Sequence, residues 1–322
     1  MENSNLLKSA RWNCATLLTL CSAVFSLQAG ATLLLYDGFA AGGEFPGAGQ
    51  YQSSPASTNG SNNDSLFGQS PELTGFDGGN DWGGVPVNNF AATVYPRVNN
   101  TGLTYQDLVT TPGSVEIFRD GSTSGDSFKR ISRNTEPDSI GDGGDPERFF
   151  MSALYRFTPG NEGYIRIDTI GPGDAPDRNH SIGFNSSGQF TTLTDGTPDG
   201  ATAGIFNAGA THMVVVEYID PGFGAPDPRE VNFWINPVDL TDPNAGAEAT
   251  GTFATNWAAG NIFGSLTLIA QTGDGLENPS FEFDEIRIGH SWDVVTPIPE
   301  PGSLVLLGIA LGSLWVFRRR NR

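Results

Sequence analysis

The most chemically suggestive string in the chain is Glu282-Phe283-Asp284-Glu285. On an extended strand alternate residues share a face, so Glu282 and Asp284 would stand together and Glu285 would point the other way. Retaining glycoside hydrolysis needs two carboxyl groups about 5–5.5 Å apart, a spacing that neighbours on one strand face can supply. Other hydrolytic machinery is missing. No Gly-x-Ser-x-Gly occurs, and Gly121-Ser122-Thr123-Ser124-Gly125 sets threonine where the nucleophile would stand. The histidines are His180, His212 and His290, none four residues from another, so no zinc signature forms. Glycines are scattered among turns and build no phosphate loop.

Two further sets of residues could bind rather than react. Asp138, Asp142, Asp145 and Glu147 crowd one glycine-rich turn, and Asp195 and Asp199 flank another. Oxygen ligands on loops suit Ca²⁺, although the ordered spacing of an EF-hand is absent. Ca²⁺ is the only cofactor these residues suggest. Trp82 and Trp234 are the candidate platforms for stacking on a sugar. Trp82 sits in an irregular stretch that favours exposure. Trp234 is out of phase with Val231, Phe233 and Ile235, so it lies on the other side of its strand, facing a ligand or a second packed layer.

The elements that would position these groups are strands. The 322 residues hold 42 glycines and 21 prolines with 38% hydrophobic residues, a loop-rich composition that is neither collagenous nor disordered. No segment of the body keeps a helical period. Short β-branched and aromatic runs alternate with Gly, Pro, Asn and Asp clusters, the pattern of an all-β sandwich. Strands are expected at 33–39, 91–98, 114–119, 128–132, 149–157, 164–168, 181–185, 212–219, 231–235, 265–270 and 281–288. Tyr164, Arg166 and Asp168 oppose Ile165 and Ile167, and the run 212–219 is apolar on both sides, as in a strand covered twice. In the last strand, Phe281 and Phe283 are apolar at odd positions, Ile286 and Ile288 at even ones. A β-bulge at Asp284-Glu285 would return all four to one buried face. The alternative to the bulge is a strand covered on both faces, with Phe281 and Phe283 packed under the long loop region; for the acids it is an edge strand with solvated carboxylates, or pairing with Arg287.

Charge narrows the partners. The formal net charge is −19, and the two ends hold six of the 17 basic residues but only two of the 36 acidic ones, so the body is more acidic still. Such a body repels nucleic acid and anionic headgroups.

Both ends read as targeting segments. Lys8 and Arg11, an apolar run over 15–27 and the small residues Ala29-Gly30-Ala31 form a signal peptide over residues 1–31, with cleavage after Ala31 or Ala29. Its apolar run falls short of the roughly 20 residues that span a bilayer. Cys14 and Cys21, the only cysteines, would leave with it. At the other end, Pro299-Glu300-Pro301 precedes an apolar run over 304–317 and then Arg318, Arg319, Arg320 and Arg322. As a helix that run reaches about 21 Å, brought close to a membrane span by its flanks and a snorkelling arginine. The arginines would stay cytoplasmic, with the body outside.

This tail resembles that of the PEP-CTERM proteins of Gram-negative bacteria. The resemblance implies recognition by an exosortase, processing near the motif and delivery to the cell surface or extracellular matrix, after a transient membrane anchorage. Signal peptidase would be the other processing partner. The body, residues 32–297, carries a second resemblance. Phe281 to Gly289 with Trp292 is similar to the closing strand of laminin-G-like, concanavalin A-like sandwiches. Val231-Asn232-Phe233-Trp234-Ile235-Asn236-Pro237 is similar to a late strand and turn of that group, and Leu35 to Phe39 to its opening strand. This implies a jelly roll of two antiparallel sheets, often binding glycans on a concave face. Glycosidases of the group carry Glu-x-Asp-x-Glu, whereas here the second glutamate comes one residue early. The expectation is therefore an exported, non-enzymatic β-sandwich, structural or adhesive, contacting an extracellular polysaccharide. The rival is a glycoside hydrolase.

Overall fold

In the computed structural model the described residues are 33–42, 50–51, 69, 71, 73–74, 82, 94–119, 127–135, 147–170, 176–220, 229–255, 262–272 and 280–298. The N-terminal segment and the tail from Pro299 onward, with Pro299, Glu300, Pro301, Arg318, Arg319, Arg320, Arg322 and the cleavage residues Ala29 and Ala31, lie outside them. From Leu33 the regular elements of the described chain are almost all strands, with one short 3-10 turn and one one-turn helix.

The strands are β1 (Leu33–Asp37), β2 (Val94–Asn99), β3 (Ser114–Arg119), β4 (Ser127–Asn134), β5 (Glu147–Phe157), β6 (Asn161–Ile170) and β7 (Pro176–Phe184). They continue with β8 (Phe190–Thr194), β9 (Thr197–Ala201), β10 (His212–Asp220), β11 (Arg229–Pro237), β12 (Ala247–Thr255), β13 (Ile262–Thr272) and β14 (Ser280–Gly289). An eight-stranded sheet runs β12-β11-β10-β5-β14-β3-β2, with β1 also paired to β14. A six-stranded sheet runs β4-β13-β6-β7-β8-β9. Every strand pairing is antiparallel. The fold is the expected all-β one of two antiparallel sheets.

Alternation builds the core between the sheets. Ile165, Ile167, Ile182, Phe184, Phe190, Leu266 and Leu268 face inward from the small sheet, and Val115, Ile117, Tyr155, Val214, Val216, Phe233 and Phe281 from the large one. The sheets come close where Phe281 lies over Gly163: a Cβ there would come within 2.5 Å of the ring. Glycine is what lets β6 approach β14 so nearly.

The large sheet is covered on its outer face as well. Met213 and Val215 of β10, Phe150 and Leu154 of β5, and Leu103, Leu108, Leu240, Trp292 and Val295 form a second buried cluster. This bears out β10 as a strand covered twice. Its lid consists of the irregular segment 100–113 and a C-terminal strap, residues 290–298, with a one-turn helix at Trp292–Val295. The strap is pinned by backbone and side-chain bonds. The Trp292 indole N–H and the Thr296 hydroxyl donate to the Leu240 carbonyl at 2.7 and 2.8 Å, and Ser152 Oγ to the Val295 carbonyl at 2.6 Å. Val109 N–H donates to the Pro297 carbonyl at 2.9 Å.

Every expected strand overlaps an observed one, and three strands were not foreseen. β8 and β9 are a threonine-rich hairpin whose turn, Asp195-Gly196, has both residues at positive φ, 51° and 77°. β12, AEATGTFAT, is an edge strand with little apolar alternation.

Candidate functional site

The acid string of β14 sits at a junction. On one side β14 pairs with β5 along its length. On the other, Ser280–Phe283 pairs with β3, and the partner then changes to β1 at Ile286. The β5 register slips by one residue between Asp284 and Arg287, and Glu285 is left-handed at φ 52°. This is the bulge expected from the phase of the apolar residues, and Phe281, Phe283, Ile286 and Ile288 all lie in the core between the sheets.

The acids therefore project from the outer face, but not into solvent. β14 is interior to its sheet rather than an edge strand, and Glu282, Asp284, Glu285 and Arg287 are all buried. Where β3 and β1 leave a gap, the carboxylates take up the amides of the 100–113 segment. Leu103 N–H donates to Asp284 Oδ2 at 2.7 Å, and Thr111 N–H donates to Glu285 Oε1. Glu285 also pairs with Arg287 at 2.5 Å and accepts from the Tyr36 hydroxyl at 3.0 Å. Arg287 lies over the Tyr36 ring, 5.0 Å from its centroid. Glu282 is bound by Arg156 and accepts from Asn99 at 3.0 Å and Ser114 at 3.2 Å. Burial, then the Glu285 charge, pushes the Asp284 carboxyl well above its ordinary range, against the two backbone N–H bonds it accepts. Burial raises Glu285 as well, opposed chiefly by Arg287. The string thus serves as an anchor for a covering loop.

The histidines are also engaged. His180 faces inward, its Nδ1 2.9 Å from the Tyr218 hydroxyl and its Nε2 3.2 Å from Asp199 Oδ2. His212 is buried among Phe157, Phe184 and Phe206. His290 is exposed.

An open groove of about 570 Å³ lies instead on the outer face of the six-stranded sheet. Register lays out its floor in rows across the strands. Ile269, Tyr164, Gly183, Thr191 and Ala201 form one row, and Thr267, Arg166, Ser181, Leu193 and Pro198 the next. Glu162 and Asn185 lie beyond Tyr164, and Asn179 and Asp195 beyond Ser181, all lining the groove. A Cβ at Gly183 would overlap the Gly163 carbonyl, so the floor beside the Tyr164 ring is bare by necessity. The Tyr164 hydroxyl donates to Glu162 at 3.2 Å, and burial followed by the Glu162 charge holds the phenol protonated. Asp168 binds Arg166 at 2.7 Å. Asn179 N–H donates to Asp195 Oδ1 at 3.1 Å. Tyr164 is buried, so its ring is a packed part of the floor, and the amides and carboxylates of Asn179, Asn185, Glu162 and Asp195 are the groups that can hydrogen-bond a polar ligand.

The sequence-predicted binding residues fare differently. Trp82 is not an exposed platform. It is fully buried, packs on Phe39 with ring centroids 6.1 Å apart, and donates its indole N–H to the Tyr51 hydroxyl at 2.8 Å. Trp234 does lie across from Phe233, and there it meets Trp292 edge-on at 5.2 Å in the second packed layer. The side chains of Asp138, Asp142, Asp145 and Glu147 lie outside the described residues. Of the other acidic pair, Asp195 lies at the hairpin turn, whereas Asp199 turns inward to His180, Thr192 and Thr194, so the two do not converge. Among the described residues no three His, Cys, Asp or Glu side chains are grouped as metal ligands. The groove residues were legible only as alternation: Tyr164, Arg166 and Asp168 opposing Ile165 and Ile167 was visible, Glu162 fell outside the strand expected at 164–168, and nothing along the chain shows that β7 and β8 extend the series into a surface.

Residues 297–320 match the model of the PEP-CTERM protein-sorting motif. The tail carries a surface-sorting signal. Such a motif implies processing by an exosortase and export toward the cell surface. Among the described residues no helix is long and apolar enough to cross a membrane. No curated protein matches the sequence. The fold is similar to that of several solved structures. They include the CBM2 module of the evolved Dit of Lactobacillus casei BL23 phage J-1 (10% identity, 64% of this chain and 94% of that one, TM-score 0.37). They also include the lectin UEA-II complexed with galactose (10%, 60% and 97%, 0.37) and a Bacillus licheniformis β-glucanase (13%, 70% and 95%, 0.36). Likeness of this degree concerns the fold alone.

Proposed function

We propose that this chain is exported by its N-terminal signal peptide and held briefly in the membrane by its C-terminal apolar run. An exosortase then processes it near Pro299-Glu300-Pro301 and places it at the surface or in the matrix of a Gram-negative bacterium. There the sandwich binds an extracellular glycan without cleaving it. The observation that carries the binding reading is the groove on the six-stranded sheet, lined by amide, hydroxyl and carboxylate groups. Its size suits a few sugar units. The non-catalytic reading is supported by the acids of β14, each of which is already bound by the protein's own arginines, amides or hydroxyls.

A glycan-array screen of the chain, with and without Ca²⁺, tests the binding reading. Retention of a glycan class, weakened by Asn179→Ala in the groove lining, is the expected result, and a blank array in both conditions overturns it. Hydrolysis of a retained glycan, abolished by Glu162→Gln or Glu282→Gln, would establish the hydrolase instead. Mass spectrometry of surface-released protein should find a C-terminus close to the Pro-Glu-Pro motif. A mature form that keeps Arg318–Arg322 counts against the sorting reading.

A further inference from the structure

We propose that the folded body withholds its own sorting signal, so that the exosortase engages the motif only after the strap over 290–298 has lifted from the lid over 100–113. The proposal rests on the sorting reading and adds how that site is regulated. The sorting motif and the body overlap. The match to the motif begins at Pro297, two residues ahead of Pro299-Glu300-Pro301, and those two residues already belong to the fold. The Pro297 carbonyl accepts from the Val109 amide at 2.9 Å, and Ile298 packs against the outer cluster that holds Leu103, Leu108 and Trp292. Just before them Val295 and Thr296 are buried. Beyond the Pro-Glu-Pro string the apolar run begins at Leu304, so only residues 299–303 separate the docked strap from it. Fully extended, that stretch reaches about 18 Å. An enzyme that reads the motif must surround the chain, and a chain held on the lid at Pro297 and Ile298 offers it one side only.

The hold on the motif reaches back to the acid string of β14. The Val109 peptide is bound from both sides: its N–H donates to Pro297, and its carbonyl accepts from Arg287 Nη2 at 2.5 Å. Arg287 is in turn paired with Glu285, which also accepts from the Thr111 amide. A line of bonds therefore runs from Glu285 through Arg287 and Val109 to Pro297, joining a buried ion pair of the large sheet to the first residue of the motif. Ser152 Oγ ties the strap at the Val295 carbonyl, and the Trp292 indole and Thr296 hydroxyl tie it to the Leu240 carbonyl. All of these bonds can break while every strand pairing stays intact, so release of the strap is a local opening. Where opening and closing outpace processing, the rate follows the released fraction.

The test follows the full-length chain by pulse-chase in a bacterium that carries the exosortase, reading the half-life of the precursor. Hydrogen exchange over 290–298 of the purified chain in detergent reports release of the strap. Ser152→Ala removes one hydrogen bond from the strap and should raise both the released fraction and the processing rate about fivefold. A second variant leaves the docked strap in place: insertion of Gly-Ser-Gly-Ser-Pro-Ile after Ile298 supplies a free copy of the Pro-Ile pair ahead of Pro299. It should shorten the precursor half-life about fivefold or more with exchange over 290–298 unchanged, and Ser152→Ala should add nothing to it. Faster exchange in Ser152→Ala without faster processing overturns the proposal. So does an insertion variant processed no faster than the unaltered chain. If Ser152→Ala speeds the insertion variant as well, the effect lies in general loosening of the body and the proposal falls too. Precursor that persists in every variant, the insertion included, removes the sorting reading itself.

Discussion

Asp37 is a carboxyl group in the core between the sheets. It lies on the same side of β1 as Leu35, accepts from the Tyr51 hydroxyl at 2.5 Å and the Phe39 amide at 2.9 Å, and is fully buried. Burial pushes its pKa from 3.8 to about 7, against the two hydrogen bonds and the nearby Arg133. Because the folded value is the raised one, the native state keeps a proton that the unfolded chain has lost between about pH 4 and pH 7. The associated stability is present below that window and is lost as pH rises through it. Asp284 and Glu285, also raised, act with the same sign. The thermal midpoint should therefore be higher at pH 5 than at pH 8, with Asp37 alone contributing about 2–3 kcal/mol to the difference. Asp37→Asn should flatten the dependence and raise the midpoint at pH 8. A midpoint unchanged between the two pH values in the unaltered protein would contradict this. The sequence placed Leu35, Asp37 and Phe39 on one strand, but gave no sign of what would meet the acid. Its partners come from two other segments, and nothing in the pattern of the 38–89 stretch distinguishes Tyr51 and Trp82 as residues turned inward.

At the level of elements, β14 was the most readable and the most misleading. The shift in phase between Phe281, Phe283 and Ile286, Ile288 marked the bulge, because a buried face tolerates only one parity of residue. The fate of the acids was invisible, because their roof is the irregular 100–113 segment, whose docking leaves no periodic trace. Glu285→Ala should leave Arg287 without its buried partner and the Thr111 amide without its acceptor. We expect a loss of roughly 3 kcal/mol or more in urea unfolding, and faster hydrogen exchange over 100–113. Glu285→Gln, which keeps an acceptor, should cost less. A loss under 1 kcal/mol for the alanine variant would show that the carboxylate is not the anchor of that loop. The unforeseen hairpin β8–β9 had a readable signal, since Asp-Gly between two short runs favours a tight turn. Its threonines hid the strands because they serve both faces, Thr192 and Thr194 bonding to Asp199 inside while Thr191 bonds the Gly200 carbonyl. The edge strand β12 hid for a related reason: Gly251 opposite Phe233 lets the ring lie across the ladder, so the packing comes from the neighbour.

Across the whole molecule, the tail was legible because its three parts must occur in order, and the two-sheet architecture because turns and short runs recur throughout. What the sequence did not show is that the last residues before the sorting motif are structural. Trp292 caps the outer cluster, edge-on to Phe150 and Trp234, and Trp292→Ala should lower stability by about 3 kcal/mol. A thermal midpoint unmoved by that change would mean the cluster does not need its cap. In the proposed surface-attached state the strap would also decide how the body answers to force. Tension applied through the tail enters at Pro297, where the Val109 amide, the Leu240 carbonyl and Ser152 hold the strap down, before it reaches β14. β14 is gripped by β5 on one side and by β3 and β1 on the other, so it is the wrong strand to peel away first. The strap yields earlier. Freed over 290–297, it would lengthen the proposed tether by up to about 26 Å while the sandwich stays whole, a mechanical fuse between the body and its attachment.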